Sequence, residues 1–321
     1  MFNTKNTDSG SLWSTVVKTV IAAIMMVCTT FTHANAADIK QKSYASPEEA
    51  VKALIDVIKA NNNQELLAIF GPESKDIISS GDEVADKRAR ENFLSSYEEK
   101  NKLVEETPDK VVLDIGSEDW PFPIPIVKRG ETWVFDTKDG KDEILSRRIG
   151  RNELDTIEVM HAYVDAQREY VSKGRDGNGD IEFAQKIIST KGKHDGLYWE
   201  AKEGEEMSPF GPLVAEATQE GYTVKKTQSG QSTPYHGYFF NILKRQGKNA
   251  PGGQYDYVVN GKMILGFALL AYPAVYGSSG IMTFIINQDD VVYQKDLGKN
   301  TAKIAESITK YNPDSTWKKA E

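Results

Sequence analysis

Residues Asn152 to Ser172 read NELDTIEVMHAYVDAQREYVS. Leu154, Ile157, Met160, Val164 and Val171 recur at three- to four-residue intervals or multiples of them, which predicts an α-helix with one apolar stripe and a charged opposite side. Asn152 and Asp155 stand where side-chain oxygens can accept the free N–H groups of a first turn, so the helix is expected to begin there. Beyond Ser172 the period changes. A turn-rich stretch from Lys173 to Pro212 leads into short runs rich in Val, Ile, Tyr and Phe near 222–228, 235–244, 255–259, 263–271, 281–287 and 291–294. Such runs predict antiparallel strands, with a last helix at 301–310 closing the chain. A long helix followed by a meander predicts an α+β domain over residues 151–321.

Upstream, Ser46-Pro47-Glu48-Glu49 combines a capping serine, a proline in the first turn and a glutamate three residues on, the signature of a helix start. Val51, Leu54, Ile55 and Ile58 follow at helical spacing, and Asn61-Asn62-Asn63 ends the pattern before a second segment, Glu65 to Phe70. A charged helix is expected from about Asp82 to Leu103, with Phe93, Leu94 and Tyr97 packing on the first. Val111-Val112-Leu113, Ile124 to Lys128 and Glu131 to Asp136 read as strands, with turns at Arg129-Gly130 and Asp139-Gly140 and a local break at Trp120-Pro121-Phe122-Pro123. Residues 46–150 are therefore expected to form a separate N-terminal α+β domain.

The first 36 residues have the layout of a cleavable export signal. Lys5 and Lys18 precede the apolar run Thr19 to Phe31, and Ala34-Asn35-Ala36 supplies small residues for cleavage. The run falls short of the roughly 20 apolar residues of a membrane span, so none is expected after cleavage. Residues 37–45 read as a polar tether. The chain's one cysteine, Cys28, lies inside the signal and follows Met-Met-Val, unlike a lipidated cysteine, so disulfides and thiolate chemistry are excluded from the exported part. The formal net charge of −8 excludes nucleic acid as a partner, which would need a basic footprint. Export implies the periplasm or envelope, where the partner would be an envelope protein or a cell-wall component.

Three histidines lie beyond the signal: His161, His194 and His236. Glu158 and His161 have the spacing of a di-iron ligand pair, but no second copy exists and the pair reads as helix surface. Asp176, Asn178, Asp180 and Glu182 alternate like calcium ligands, yet an EF-hand register places Gly174 and Gln185 where the carboxylates belong, so no tight metal site is expected. His194, Asp195 and His236 are the candidate catalytic groups, since a histidine beside a carboxylate can act as a general base. Tyr198, Trp199, Tyr235 and Tyr238 are the candidate binding aromatics. Tyr276-Gly277-Ser278-Ser279-Gly280 lacks the alternation of a nucleophile elbow, and with no phosphate loop or dinucleotide fingerprint no cofactor is expected.

GKHDGLYW (192–199), SPFGPL (208–213), PYHGYFF (234–240), the stretch 250–284 and VVYQKDLG (291–298), with SPEEAVKALIDVIKANN and RRIGRNELDTIEVMHAYVDAQREY, strongly resemble an exported bacterial family known as domain of unknown function 2950. That resemblance implies location and fold continuity, and no activity. Tyr276, Gly277, Gly280, Phe284 and Val292 also stand in a pattern that weakly resembles the globular heads of pilins and pseudopilins. The N-terminal half looks like a cystatin-like α+β roll, a fold used for cavities and for docking alike. The leading expectation is a non-enzymatic binding or assembly protein with the C-terminal aromatic sheet as its contact surface. The alternatives are a periplasmic hydrolase using His194, Asp195 and His236, and a small-ligand carrier with a cavity in the N-terminal roll lined by Trp120 and Trp133.

Overall fold

The computed structural model describes residues 40–174, 181–202, 204–223 and 233–320. From Gln41 onward they form one compact α+β unit with antiparallel sheets. The N-terminal half starts as its capping residues dictate. Helix α1, Pro47–Lys59, opens with the Glu49 N–H donating to Ser46 Oγ (3.3 Å) while Glu49 Oε2 accepts the Ala45 N–H (3.1 Å). Helix α2, Asn63–Phe70, is capped by Asn62. A short turn of helix, α3 (Lys75–Ile78), precedes α4 (Glu83–Glu99).

Helix α4 does not run to Leu103. The chain straightens at Lys100 into β1 (Asn101–Thr107), which pairs with β2 (Lys110–Ile115) and sets Leu103 opposite Leu113. Ladder pairing satisfies this backbone where a longer helix would have exposed Leu103 on a charged face. With β3 (Trp120–Pro121), β4 (Ile126–Arg129) and β5 (Thr132–Phe135) the strands make one sheet in the order β1-β2-β4-β5, with β3 on β2. Leu54, Ile69, Phe70, Leu113, Ile126 and Phe135 fill the space between sheet and helices.

The long helix α5 spans Thr137–Ser172, 36 residues or about 54 Å at 1.5 Å per residue. It starts fifteen residues before the expected cap and passes unbroken through residue 150. Asp139-Gly140 is its first turn, not a hairpin turn. Gly140 is required by proximity, since a Cβ there would lie 2.2 Å from the Pro123 carbonyl oxygen. Asn152 caps nothing: it is buried in mid-helix, and its Nδ2 donates to the Ser279 carbonyl (2.8 Å). The buried stripe is also rotated from the expected one. Met160, Tyr163, Gln167 and Tyr170 face inward, whereas Leu154 is 63% exposed. Ile144 packs against the first core, and Met160, Tyr163, Val164, Ala166 and Tyr170 belong to a second.

That second core lies under a sheet in the order β14-β13-β12-β11-β6. Its strands are β6 (Tyr238–Leu243), β11 (Ala268–Pro273), β12 (Met282–Asn287), β13 (Tyr293–Asp296) and β14 (Lys318–Lys319). The interior strand β11 lies between β12 and β6, pairs Leu270 with both Ile285 and Asn241, and is almost wholly buried. Two-residue strands β7 (Arg245–Gln246) and β8 (Tyr255–Asp256), then β9 (Val258–Val259) and β10 (Lys262–Met263), fold into two small ladders. Helices α6 (Gly211–Gln219) and α7 (Thr301–Ser307) complete the half. Of the strand expected near 222–228 only Tyr222 and Thr223 are described. Among the described residues no helix is long and apolar enough to cross a membrane.

Candidate functional site

Helix α4 is charged almost all round and buries one residue, Asp86. Asp86, Ala89, Arg90 and Phe93 stand at i, i+3, i+4 and i+7, so they share one side of the helix. That side covers a half-open pocket of about 170 Å³. Leu54 and Ile58 from α1, Phe70 from α2, Ile78 from α3, Phe122 from the β3–β4 connection and Ile144 from α5 supply apolar wall. Ala89 is exposed while also lining the pocket, which places it at the mouth.

Three charged side chains line the same space: Asp86, Arg90 and Arg148. The Asp86 carboxylate accepts the Ser80 N–H at 2.9 and 3.2 Å. Arg148 reaches from α5 to the carbonyls of Asp76 (2.7 Å) and Ile77 and to Ser278 Oγ. Burial pushes its guanidinium pKa down, against the opposing pull of Asp86 and Asp76. Among the described residues Arg90 makes one long contact, 3.5 Å from Nη1 to the Ile78 carbonyl, and its buried Nε has no partner.

The N-terminus of α4 is tied to the second half by Asp82, which is fully buried. Its Oδ1 accepts the N–H groups of Val84 and Ala85, both at 3.1 Å, as an N-cap. Its Oδ2 accepts the Tyr222 hydroxyl and the Gly237 N–H, both at 2.9 Å. Gly237 belongs to a tight reverse turn in which Tyr235 and Tyr238 exchange backbone hydrogen bonds. His236 and Gly237 at its centre have φ of 49° and 76°. Two positive φ values in succession are the conformation of a type I′ turn, unusual for histidine and ordinary for glycine.

The turn sets the His236 ring between two carboxylates. Nδ1 lies 3.2 Å from Asp155 and Nε2 lies 3.3 Å from Glu220, which also pairs with Arg88 of α4. Burial alone would lower the histidine pKa, but Asp155, Glu220 and Asp82 outweigh it and raise it above the ordinary 6.5. Arg88, Glu220, His236 and Asp155 thus form a run of alternating charge from α4 to α5.

Residues 41–320 match the family model described as "Protein of unknown function (DUF2950)". The chain belongs to that family. No curated protein and no solved structure matches it. In this DUF2950 chain the matched span holds both the pocket under α4 and the His236 turn.

The catalytic candidates do not converge. His194 stacks on Trp199 with ring centroids 4.2 Å apart, and its carbonyl accepts the Tyr170 hydroxyl at the C-terminal end of α5. His236 is held at Asp155 on the same helix. Fifteen residues separate those anchor points, about 22 Å along the axis, far beyond hydrogen-bond reach. The Asp195 carboxylate turns away from chemistry as well. It accepts the Thr190 N–H (2.7 Å), the Thr190 hydroxyl (2.9 Å) and Lys186 Nζ (2.6 Å). Its slight burial opposes ionisation, but these bonds dominate and hold the carboxyl at about 2.

The binding aromatics are largely structural. Tyr238 is fully buried with its hydroxyl donating to the Met282 carbonyl, and Trp199 is buried with Nε1 donating to the Glu206 carbonyl. Tyr198 and Tyr235 are half-buried. Those side chains do not form an open aromatic surface. The calcium candidates Asp176, Asn178 and Asp180 lie outside the described residues, and Glu182 is described without them. His161 is hydrogen-bonded to Asp290 (2.7 Å) on the protein surface. Ser278 and Ser279 use their hydroxyls on backbone groups of Asp76 and Val275.

Trp120 and Trp133 do not line the pocket. The Arg147 guanidinium sits 5.2 Å from the Trp120 ring, and Trp133 pairs through its backbone with Tyr44. Sequence reasoning set Asp82 at the start of α4 but missed its contacts with Tyr222 and Gly237, and it missed Asp86, Arg90 and Arg148 altogether. The visible signal was the Asp-x-x-Ala-Arg-x-x-Phe spacing in α4, where a polar pair and a phenylalanine share one side of a charged helix.

The geometry at His236 gives a pH dependence of defined sign. A folded pKa above the unfolded one means that the stabilisation is complete below about pH 6.5 and is lost as the pH rises through the folded value. Urea unfolding of wild type and His236→Gln from about pH 5 to about pH 9 is expected to show wild type losing its advantage as the pH rises. An advantage independent of pH would mean that the ring carries no cation in the folded protein.

Proposed function

We propose that this chain is an exported, non-enzymatic binding protein whose ligand site is the pocket beneath α4. The observation that carries the reading is the pocket itself: about 170 Å³, apolar in its depth, with charged side chains beside it. Binding sites for small molecules share this composition of mostly apolar wall and a few placed polar groups. A dry cavity of about 150 Å³ is large enough for a benzene-sized molecule, so an aromatic ring or a short acyl chain is the scale of occupant that fits. The separation of His194, Asp195 and His236 speaks against the hydrolase reading, and the burial of Tyr238 and Trp199 speaks against the aromatic sheet as a contact surface.

A series of n-alkanols tests the pocket. Each added methylene transferred from water contributes about 0.8 kcal/mol, so affinity is expected to rise about fourfold per carbon until the pocket is full and then level off. The resonances of Ile58, Ile78 and Ile144 should shift saturably in the same titrations. Ala89→Phe, placed at the mouth, should abolish the shifts without altering the core. If no alkanol shifts those three residues, the pocket is not a binding site.

A further inference from the structure

We infer that the pocket beneath α4 selects an anionic amphiphile, a short- to medium-chain carboxylate whose head is taken by Arg90 and whose tail enters the apolar depth. This rests on the reading of the pocket as the ligand site.

Asp86, Arg90 and Arg148 line the pocket and sum to one positive charge. Asp86 is committed to the Ser80 N–H, and Arg148 to the Asp76 and Ile77 carbonyls and Ser278. Arg90 is not so committed. A guanidinium carries five N–H donors, of which the Arg90 Nε–H is buried without an acceptor among the described residues and Nη1 makes one bond at the limit of length. Leaving a buried donor unpaired is costly, and a guanidinium swung from this shielded position into the pocket would present Nε and Nη together to a planar carboxylate.

The neighbouring acids do not already fill that role. On α4, Glu91 lies 3.6 Å from Lys87, and Glu220 beside the helix pairs with Arg88 and His236. A neutral amphiphile would gain the apolar burial and leave Arg90 as it is, whereas a cation would meet the net positive charge. The tail is limited by volume, because about 170 Å³ accommodates a single chain end or ring and not a branched lipid.

Calorimetric titration of the protein with octanoate, 1-octanol and octylamine separates the steps. Wild type is expected to bind octanoate about tenfold more tightly than octanol, and octylamine more weakly than either. Arg90→Gln should remove the octanoate advantage while octanol affinity stays within about twofold. Arg90→Lys, which keeps the charge and loses the planar fork, should retain part of the advantage. Equal affinity for octanoate and octanol in wild type, or an advantage that survives in Arg90→Gln, would overturn the anion assignment and leave the pocket standing. Failure of both octanoate and octanol to bind would remove the pocket as well.

Discussion

Asp82→Ala is expected to lower the unfolding free energy by about 4 kcal/mol, a large share of the stability of an ordinary domain. The side chain has no contact with water and receives four donors. Loss of the N-cap at Val84 and Ala85 accounts for about 1 kcal/mol. The Tyr222 hydroxyl and the Gly237 N–H would be left buried and unpaired, at about 1 to 3 kcal/mol each. Urea denaturation of the variant measures the sum.

Asp82→Asn makes the test specific. Its oxygen can still cap α4, but its amide nitrogen cannot accept the N–H of Gly237, so at most half of the loss should return. Asparagine performing as well as aspartate, or alanine costing less than about 1 kcal/mol, would show that α4 is not anchored through this carboxylate. Because α4 covers the pocket, Asp82→Ala should also weaken alkanol binding.

Gly140→Ala is expected to destabilise by about 3 kcal/mol, and here the sign is diagnostic. At an ordinary position inside a helix the same change would stabilise by about 1 kcal/mol. At position 140 the new methyl would meet the Pro123 carbonyl oxygen at 2.2 Å and the Ile124 nitrogen at 2.7 Å. Both are backbone atoms, so no side-chain rotation relieves the clash, and overpacking of this kind costs about 1 to 3 kcal/mol or more. Phe122 and Ile124, which line the pocket, would be displaced with Pro123. An unchanged or raised midpoint in urea would mean that α5 does not approach this loop so closely.

The two sites show where local reading of the chain reaches its end. Asp82 as the start of α4 follows from residues within three positions of it, because an N-cap is a local bargain between one side chain and the next turn. Its Oδ2 is a different matter, with partners 140 and 155 residues away. Gly140 is harder still. After an aspartate and beyond a predicted strand, glycine is the residue a turn would use, and no neighbour in sequence reports the Pro123 carbonyl against which the helix is pressed. Reading Asp139-Gly140 as a turn therefore truncated α5 by fifteen residues and gave Asn152 a capping role, whereas its amide serves Ser279, 127 positions away. A helix taken to begin at Asn152 places Leu154 in the buried stripe for the same reason. Once the helix begins at Thr137, its inward side is set by the sheet it crosses, and Leu154 falls outside.

The amino-acid sequence by itself determined the α+β class, the capping of α1, the turn at Arg129-Gly130 between β4 and β5, and strands in the runs 281–287 and 263–271, which the structure places at Met282–Asn287 and Ala268–Pro273. Each of these depends on caps, periodicity or turn residues within a few positions. Tertiary structure alone decided that α4 roofs a pocket, that Arg90 has a buried donor without a partner among the described residues, that His236 and His194 are anchored far apart, and that Tyr238 and Trp199 belong to the core. The physical reason is range. Burial, unpaired polar atoms and backbone contact depend on which distant segments meet, and the residues that meet at Arg90, Gly140 and His236 come from separate helices and loops.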